Sequence, residues 1–202
     1  SGSPKREDAA MRLPLIAPAD LTAEQKPLYD DMKAGISSNF NAFEAVREDG
    51  ALMGPWNPWL HEPKIGGAIW ALTKAMSMEA TLPDNARQIA ILVTGAHFNA
   101  AYEIYAHVAV AEKEGMTDER LSTLVAGVKP TGLEGGEEFA YDVAWALLNG
   151  GGILPRPTYD LAVKTFGQHG ASELIYLVGL YSLVSVTLNG FNVPVPEKEE
   201  AG

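Results

Sequence analysis

Apolar residues recur at helical spacing along most of this chain, and each apolar run is bounded by residues that start or stop helices. Proline and capping residues precede the runs, while glycine or asparagine follows them, as at the two ends of natural helices. The alternation of apolar and polar residues that indicates strands is absent. The pattern therefore predicts an all-α domain of about seven or eight helices. The predicted helices begin near Thr22, Pro63, Pro83, Asn99, Thr117, Glu137, Pro157 and Ser172.

The helical pattern covers residues 21–192, and the two ends of the chain lack it. Residues 1–20 contain several prolines and no periodicity, so we expect an extended arm that lies over the surface. Residues 193–202 form a short tail that contains prolines and then charged residues. A length of 202 residues suits one domain. We therefore expect one helical domain with an N-terminal arm and a C-terminal tail.

Residues 36–60 have no helical periodicity and are rich in Gly, Asn and Pro. We expect the first helix to stop at Gly35, because glycine commonly ends helices. A loop of this length is uncommon in a compact domain unless it forms a lid or a wall of a site. Trp56 and Trp59 lie within it, so we expect the loop to pack onto the domain and bury them.

Composition and charge exclude several classes of function. The formal net charge of −11 argues against nucleic acid or an anionic membrane as a partner, since both require a basic surface. The sequence has no cysteine, which excludes disulfides, thiolate metal sites and thiol redox chemistry. The most apolar window, 174–188, is shorter than the roughly 20 residues that span a bilayer, so we expect a buried helix. The first residues resemble no signal peptide, and we expect a cytoplasmic protein.

The most informative segment is 100–107, which places Glu103 and His107 four residues apart within an apolar run. On a helix the two side chains share one face. Burial disfavours the charged form of each side chain while each charge stabilises the other, so their protons become coupled. We therefore predict that Glu103 and His107 are catalytic residues for proton transfer. The alternative is an ordinary Glu–His pair on a solvated helix face.

Five further residues are candidates for binding a substrate near this pair. Arg87 can grip an anionic group through two parallel hydrogen bonds, although a surface salt bridge is an equal alternative. Tyr102 and Tyr105 carry hydroxyls that can hold a carbonyl or carboxylate oxygen. Trp70 can line an apolar pocket around a small organic substrate or simply belong to the core. His61 borders the aromatic loop and completes the set.

The sequence supports other chemistry less well. No Gly-x-Ser-x-Gly motif is present, so an activated serine is not indicated. His97, Glu103 and His107 are residue types that bind zinc or iron, but Asn99 interrupts the helix after the first of them. No His-Glu-x-x-His motif exists. We expect no metal, and a metal-dependent lyase is kept as an alternative.

Three segments together resemble the carboxymuconolactone decarboxylase family, whose superfamily includes the AhpD-like alkyl hydroperoxidases. The resemblance is clearest over residues 60–127, and residues 183–196 look like the carboxyl end of larger members. It implies an all-helical subunit, a homo-oligomer such as a trimer or hexamer, and no cofactor. The segments are Asn85-Ala-Arg87-Gln88-Ile-Ala-Ile-Leu, Ala101-Tyr-Glu103-Ile-Tyr-Ala-His107 and Glu114-Gly-Met-Thr-Asp-Glu-Arg-Leu.

The chain departs from the peroxidase members of that superfamily at the redox positions. Those members carry a glutamate, then Cys-x-x-Cys, then a histidine four residues past the second cysteine. The corresponding positions here are Gln88, Ala100, Glu103 and His107. A thiol peroxidase needs a thiolate nucleophile and a resolving partner, so that activity is excluded. The decarboxylase branch has a Glu-x-x-x-His element in this place, which this chain resembles.

From the residues and the resemblance we expect a cofactor-independent lyase that decarboxylates a small unsaturated organic acid. His107 would donate a proton to carbon and Glu103 would set its charge and orientation. Arg87 or a tyrosine hydroxyl would steady the developing oxyanion. Isomerisation and lactone opening use the same proton transfer next to a carbonyl. A non-catalytic domain that binds a small ligand or serves in assembly is the rival class.

Overall fold

The computed structural model describes residues 10–197, and in this range the chain forms eight α-helices and a short 3₁₀ helix at Pro18–Asp20. The prediction of an all-α fold is confirmed, since the only β-pairing in the described residues is an isolated bridge between Val46 and Leu52. Residues 1–9 of the predicted arm and 198–202 of the predicted tail lie outside the described range. The helices are α1 (Lys26–Asn39), α2 (Trp56–His61), α3 (Pro63–Met78), α4 (Asp84–His97), α5 (Ala101–Lys113), α6 (Asp118–Val125), α7 (Glu137–Asn149) and α8 (Arg156–Gly190).

Helix α4 lies at the centre of the fold. It packs against α5, α6, α7 and α8, and its residues 88–95 are buried without interruption. A run of this length makes about two turns, so every face of this part of the helix is covered. Its central apolar stretch, Ile89-Ala-Ile-Leu-Val93, supplies the all-round hydrophobic surface that such a position requires.

The first helix begins at Lys26, one turn after its predicted capping signal, and ends later than predicted. Thr22 and Gln25 form the reciprocal bonds of a capping box, at 3.0 and 3.2 Å. The prediction that Gly35 stops the helix is wrong, because α1 continues to Asn39. Gly35 instead makes room for a neighbour: a Cβ at this position would lie 2.5 Å from the ring of Trp70.

The region predicted to be an irregular loop contains a short helix. Helix α2 occupies its last part, and the irregular segment is 40–55. Trp56 and Trp59 lie in α2 and are both buried. The stretch therefore packs onto the domain through its aromatic residues, and Phe40 joins Trp56 in an edge-to-face contact with ring centroids 5.5 Å apart.

Helix α8 joins two helices that the sequence analysis separated near Gly170 and Ser172. The break lies earlier, at Gly167, which has a φ of 75°. Glycine adopts this backbone conformation readily, whereas other residues are strained in it. Ser172 does not cap a helix start, and its hydroxyl accepts a 3.4 Å hydrogen bond from Gln168. By length and composition α8 is the one described helix that meets the criteria for a membrane span, but 56% of its apolar window is buried inside the protein. Burial of its second half against α4 explains that composition.

The described part of the N-terminal arm is bonded to the domain at two places. The guanidinium of Arg12 donates to the carbonyl of Gly190 at the end of α8, at 2.9 Å. Two residues farther on, the carbonyl of Pro14 lies 2.8 Å from the His61 ring and accepts a 3.2 Å hydrogen bond from Asn57. The arm therefore connects the end of α8 with α2.

Adjacent glycines at the start of α3 give a matched test of how closely α2 and α3 pack. A Cβ at Gly66 would lie 2.0 Å from the backbone oxygen of Trp59, whereas a Cβ at Gly67 meets only Leu28, at 4.0 Å. We predict that Gly66→Ala lowers the free energy of unfolding by about 1–3 kcal/mol through overpacking. Gly67→Ala, the control, should raise it by about 0.5–1 kcal/mol through helix propensity. Urea unfolding measures both, and equal effects would contradict the close approach.

The phenols of Tyr102 and Tyr181 ionise with difficulty in the folded chain. Burial raises the pKa of each hydroxyl well above its usual range, and the negative charge of Glu103 raises both pKa values further. Because the folded state holds these protons more tightly than the unfolded state, its stability is full below pH about 10 and falls as the pH rises above that value.

We predict that Tyr102 and Tyr181 ionise only as the protein unfolds. Absorbance at 295 nm and circular dichroism should therefore change together in the last part of an alkaline titration. Replacing either residue with Phe should make the alkaline loss of stability less steep, whereas Tyr176→Phe, at an exposed position, should leave the slope unchanged. Full ionisation of all seven tyrosines in the folded protein would contradict the burial.

Candidate active site

Glu103 and His107 lie side by side in the interior of the domain. Their side chains project from successive turns of α5, and His107 Nε2 lies 2.9 Å from Glu103 Oε1. Only 4% of Glu103 and 6% of His107 is exposed. The pair therefore occupies a dry setting and not a solvated helix face, and an electrostatic interaction between the two groups is strong there.

Gln88 fixes the other side of the imidazole. Its Oε1 atom lies 2.9 Å from His107 Nδ1, so in this orientation of the amide Nδ1 carries a hydrogen and donates it. His107 Nε2 then faces Glu103 Oε1 at ion-pair distance, although the N–H direction does not meet hydrogen-bond geometry. An acid and a base that can exchange a proton therefore lie against each other in the interior of the domain.

The turn between α4 and α5 brings these three side chains together. Asn99 adopts a positive φ of 49°, and the chain reverses so that α5 runs back along α4. Gly95 faces Glu103 across this contact, and a Cβ at Gly95 would lie in van der Waals contact with Glu103 Cγ, at 3.4 Å. This packing places Gln88, 19 residues before His107, within hydrogen-bond distance of it.

A narrow cavity lies next to the pair. Its volume of about 30 Å³ is room for about two water molecules, so a larger ligand requires a wall to move. The walls are mainly aromatic and aliphatic, with the Glu–His pair as the charged part. The lining residues are Phe40, Phe43, Pro55, Trp56, Trp59, Thr73, Tyr102, Glu103, Ala106, His107, Leu180, Tyr181 and Val184.

Tyr181 extends the polar part of the site toward Arg87. Its ring packs edge-to-face on the imidazole of His107, with centroids 5.2 Å apart. Burial and the charge of Glu103 raise the pKa of the Tyr181 phenol, so it stays protonated at neutral pH. The Arg87 guanidinium, a hydrogen-bond partner of this phenol, lowers the pKa by a smaller amount. Tyr181 therefore presents a neutral hydroxyl beside the imidazole. Nothing in the sequence singled it out, because it lies in the most apolar stretch of the chain.

Arg87 does not line the cavity. Its guanidinium lies 3.6 Å from the buried carboxylate of Glu173 and donates to the carbonyl of Met76 at 3.3 Å. Glu173 in turn accepts hydrogen bonds from the backbone N–H and the hydroxyl of Thr81, at 2.8 and 2.9 Å. Arg87 thus connects α4, α3 and α8. It contacts a residue of the cavity lining through its hydrogen bond with Tyr181.

The other predicted substrate-binding residues divide between the cavity and its surroundings. Tyr102 lines the cavity. Tyr105 packs against Phe43, with ring centroids 6.2 Å apart, and does not line the cavity. Trp70 lies among the core residues and donates to Asp31 at 2.8 Å, outside the cavity lining. His61 is bonded to the N-terminal arm and is likewise outside it.

Tyr102 and Tyr105 hold the 40–55 segment over the cavity. The hydroxyl of Tyr102 donates to the carbonyl of Glu44 at 2.7 Å, and the hydroxyl of Tyr105 accepts from the backbone N–H of Glu44 at 3.0 Å. Phe43, the neighbouring residue, lines the cavity. The two tyrosines that lie next to Glu103 in the sequence therefore fasten the part of the cavity wall that Phe43 forms.

Of the three residues considered as metal ligands, Glu103 and His107 lie together, but His97 does not join them. His97 is exposed at the end of α4 and packs against Phe98, with ring centroids 4.9 Å apart, away from the Glu–His pair. Among residues 10–197 no three or more His, Asp or Glu side chains form a group that could hold a metal ion. The alternative of a metal-dependent lyase has no ligand set in this part of the chain.

Comparisons with known proteins agree with this architecture at the level of the fold. No family model and no curated protein sequence matches the chain. Several solved structures match it in fold. An uncharacterized peroxidase-related protein from Silicibacter sp. TM1040 is 11% identical, with a TM-score of 0.73 and 96% of each chain covered.

Two further solved structures support the same assignment. The debrominase Bmp8 is 12% identical, with a TM-score of 0.67 and coverage of 87% of this chain and 90% of that one. An Agrobacterium tumefaciens protein of unknown function, named after the antioxidant defence protein AhpD, is also 12% identical, with a TM-score of 0.62 and coverage of 70% and 97%. The likeness shows the fold alone. The chain shares the all-helical fold of these peroxidase-related and AhpD-like structures, as the sequence resemblance predicted.

Proposed function

We propose that this protein is a cofactor-independent lyase that transfers a proton to a small unsaturated organic acid as it loses carbon dioxide. The observation that carries the proposal is the buried contact between Glu103 and His107 at the wall of an aromatic cavity. A buried acid and base in close contact are suited to proton transfer at carbon, whereas the same two residues on a solvated helix face form only a weak surface pair.

The proposed reaction needs only a proton. The bond between the carboxylate and the adjacent carbon breaks, and its electron pair moves into a conjugated carbonyl group to form an enolate. Carbon dioxide leaves. A proton from the Glu103–His107 pair then passes to the carbon, and the carbonyl re-forms. The pair regains a proton from water. Isomerisation or lactone opening uses the same transfer without loss of carbon dioxide.

Each neighbour of the imidazole has a role in this scheme. Gln88 accepts from Nδ1 and so holds the ring with Nε2 toward Glu103 and the cavity. Tyr181 covers the ring and keeps water from it. Arg87 is a positioning residue in this proposal, since it contacts Glu173 and Tyr181 and not the cavity.

The fold neighbours support a small, planar and unsaturated substrate. One of them is a variant of the debrominase Bmp8 in complex with 2,3,4-tribromopyrrole, a five-membered ring compound. In this chain Phe43 and Trp56 stack with ring planes 16° apart and centroids 6.2 Å apart at the cavity wall. Planar unsaturated acids match such a wall. The absence of cysteine keeps thiol chemistry out of the proposal.

We also propose a cytoplasmic homo-oligomer, a trimer or hexamer. Large apolar side chains are exposed on α3 and α8, where Ile65 is 67% and Tyr176 is 65% exposed. Side chains of this kind are commonly covered by another subunit. A non-catalytic ligand-binding or assembly domain of the same fold is the alternative function, and the test below separates the two.

We predict that His107→Gln and Glu103→Gln each lower turnover of the substrate by about 10² to 10⁴, the usual contribution of a general acid or base. The assay is carbon dioxide release from a panel of small unsaturated acids, carboxymuconolactone included. His97→Gln and Glu112→Gln are the matched controls, because both positions are exposed and lie outside the cavity.

The controls should keep full turnover, and all four variants should keep the helical circular dichroism of the parent chain. Turnover that survives in His107→Gln would refute the assigned role of the imidazole. A wild-type chain that binds the acids and turns none of them over would favour the non-catalytic alternative.

A further inference from the structure

We propose that the indole N–H groups of Trp56 and Trp59 bind the substrate oxygen that becomes the enolate oxygen. This inference rests on the proposed function, and it names the substrate class as a planar compound with a carbonyl oxygen conjugated to the reacting carbon. Trp56 and Trp59 both line the cavity, and Glu103 and His107 line it as well.

The evidence is that both indole nitrogens are buried without a hydrogen-bond partner. Trp56 is 4% exposed and Trp59 is 3% exposed, and neither Nε1 atom has an acceptor within reach. Buried polar groups are nearly always paired, so an orphaned donor requires an explanation. Trp70 shows the ordinary situation, since its N–H donates to Asp31 at 2.8 Å.

The unpaired atoms concentrate at this one cavity. Six buried side-chain polar atoms lack a hydrogen-bond partner in the described residues, and three of them belong to residues that line the cavity: Trp56, Trp59 and Glu103. Two are donors, and the third is the Glu103 oxygen that lies near His107 Nε2 without hydrogen-bond geometry. The residues that line the cavity therefore include two with unpaired N–H donors, together with the proton-transfer pair.

This set of groups defines what the ligand has to carry. A carbonyl oxygen has two lone pairs and can accept from two N–H groups, whereas a hydrocarbon leaves both donors unpaired. Neutral donors in a dry site stabilise an oxygen that gains negative charge, and this stabilisation increases as the enolate forms. The same donors do not stabilise the carbanion centre, which lies next to Glu103 and His107 in this arrangement.

The surrounding chain holds the two indoles in place. Helix α2 carries both, and the backbone of Trp59 packs directly on Gly66 of α3, where no side chain fits. The ring of Trp56 is stacked on Phe43 and meets Phe40 edge-to-face. Donors on such a rigid support keep their direction during a reaction, which is the requirement for oxyanion stabilisation.

The test removes each N–H without changing the size of the ring. Trp56 and Trp59 are replaced one at a time by 3-benzothienylalanine, in which sulfur stands in place of the N–H group. The probe is 4-nitrophenolate, a planar oxyanion with visible absorbance, and nitrobenzene is the probe without the oxyanion. Binding is measured by titration in the wild-type chain and in each variant, and no turnover is needed.

We expect each replacement to weaken 4-nitrophenolate binding about tenfold and to leave nitrobenzene binding unchanged. The same replacement at Trp145, which is exposed on α7, is the control and should change neither. The His107→Gln variant should still show the difference between the two probes, since the donors do not depend on the imidazole.

Equal binding of 4-nitrophenolate by the wild-type chain and both variants, or no binding by the wild-type chain, would overturn the inference. Loss of turnover in the Glu103 and His107 variants tests the proposed function separately. Failure of one proposal is therefore distinguishable from failure of the other.

Discussion

The packing of α5 along α4 is the constraint on which the candidate site depends. The reversal at Asn99 turns α5 back along α4, which brings Gln88 within hydrogen-bond distance of His107. Since residues 88–95 of α4 are buried, this part of the helix has no freedom to move away from α5 without exposing apolar surface to water. The core therefore fixes the geometry of the Glu–His pair, and a local change in α5 cannot relax it.

Burial gives the pair its chemical character. In water Glu103 and His107 would exchange protons with solvent independently, but in the interior each charged form depends on the other. The walls of the cavity are mainly aromatic and aliphatic, and the Glu44 contacts of Tyr102 and Tyr105 fasten the 40–55 segment beside it. The segment and the acid–base pair are thus connected through residues of one helix, α5.

The sequence was sufficient for the fold and for the pair, because both depend on local spacing. Helical periodicity and capping residues predicted the helices, and the four-residue interval placed Glu103 and His107 on one face. The sequence was insufficient for the positions of Trp70, which was proposed as a substrate contact for its aromatic ring, and of Tyr105, which was proposed for its hydroxyl. Their places depend on contacts with Asp31 and Glu44 across long sequence separations. Spacing within one helix carries no information about such contacts.

The positions that correspond to the redox motif of the peroxidases show why one frame can support different chemistry. His107 contacts both Gln88 and Glu103, so the frame brings together the side chain at position 103, an imidazole and a supporting side chain from α4. A thiol at position 103 would make that group a nucleophile, whereas a carboxylate makes it a proton carrier. Ala100, fully buried, supplies no second group. This chain departs from the redox motif at three positions, Gln88, Ala100 and Glu103, and under the proposed function the same helices, turn and imidazole carry proton chemistry instead of electron chemistry.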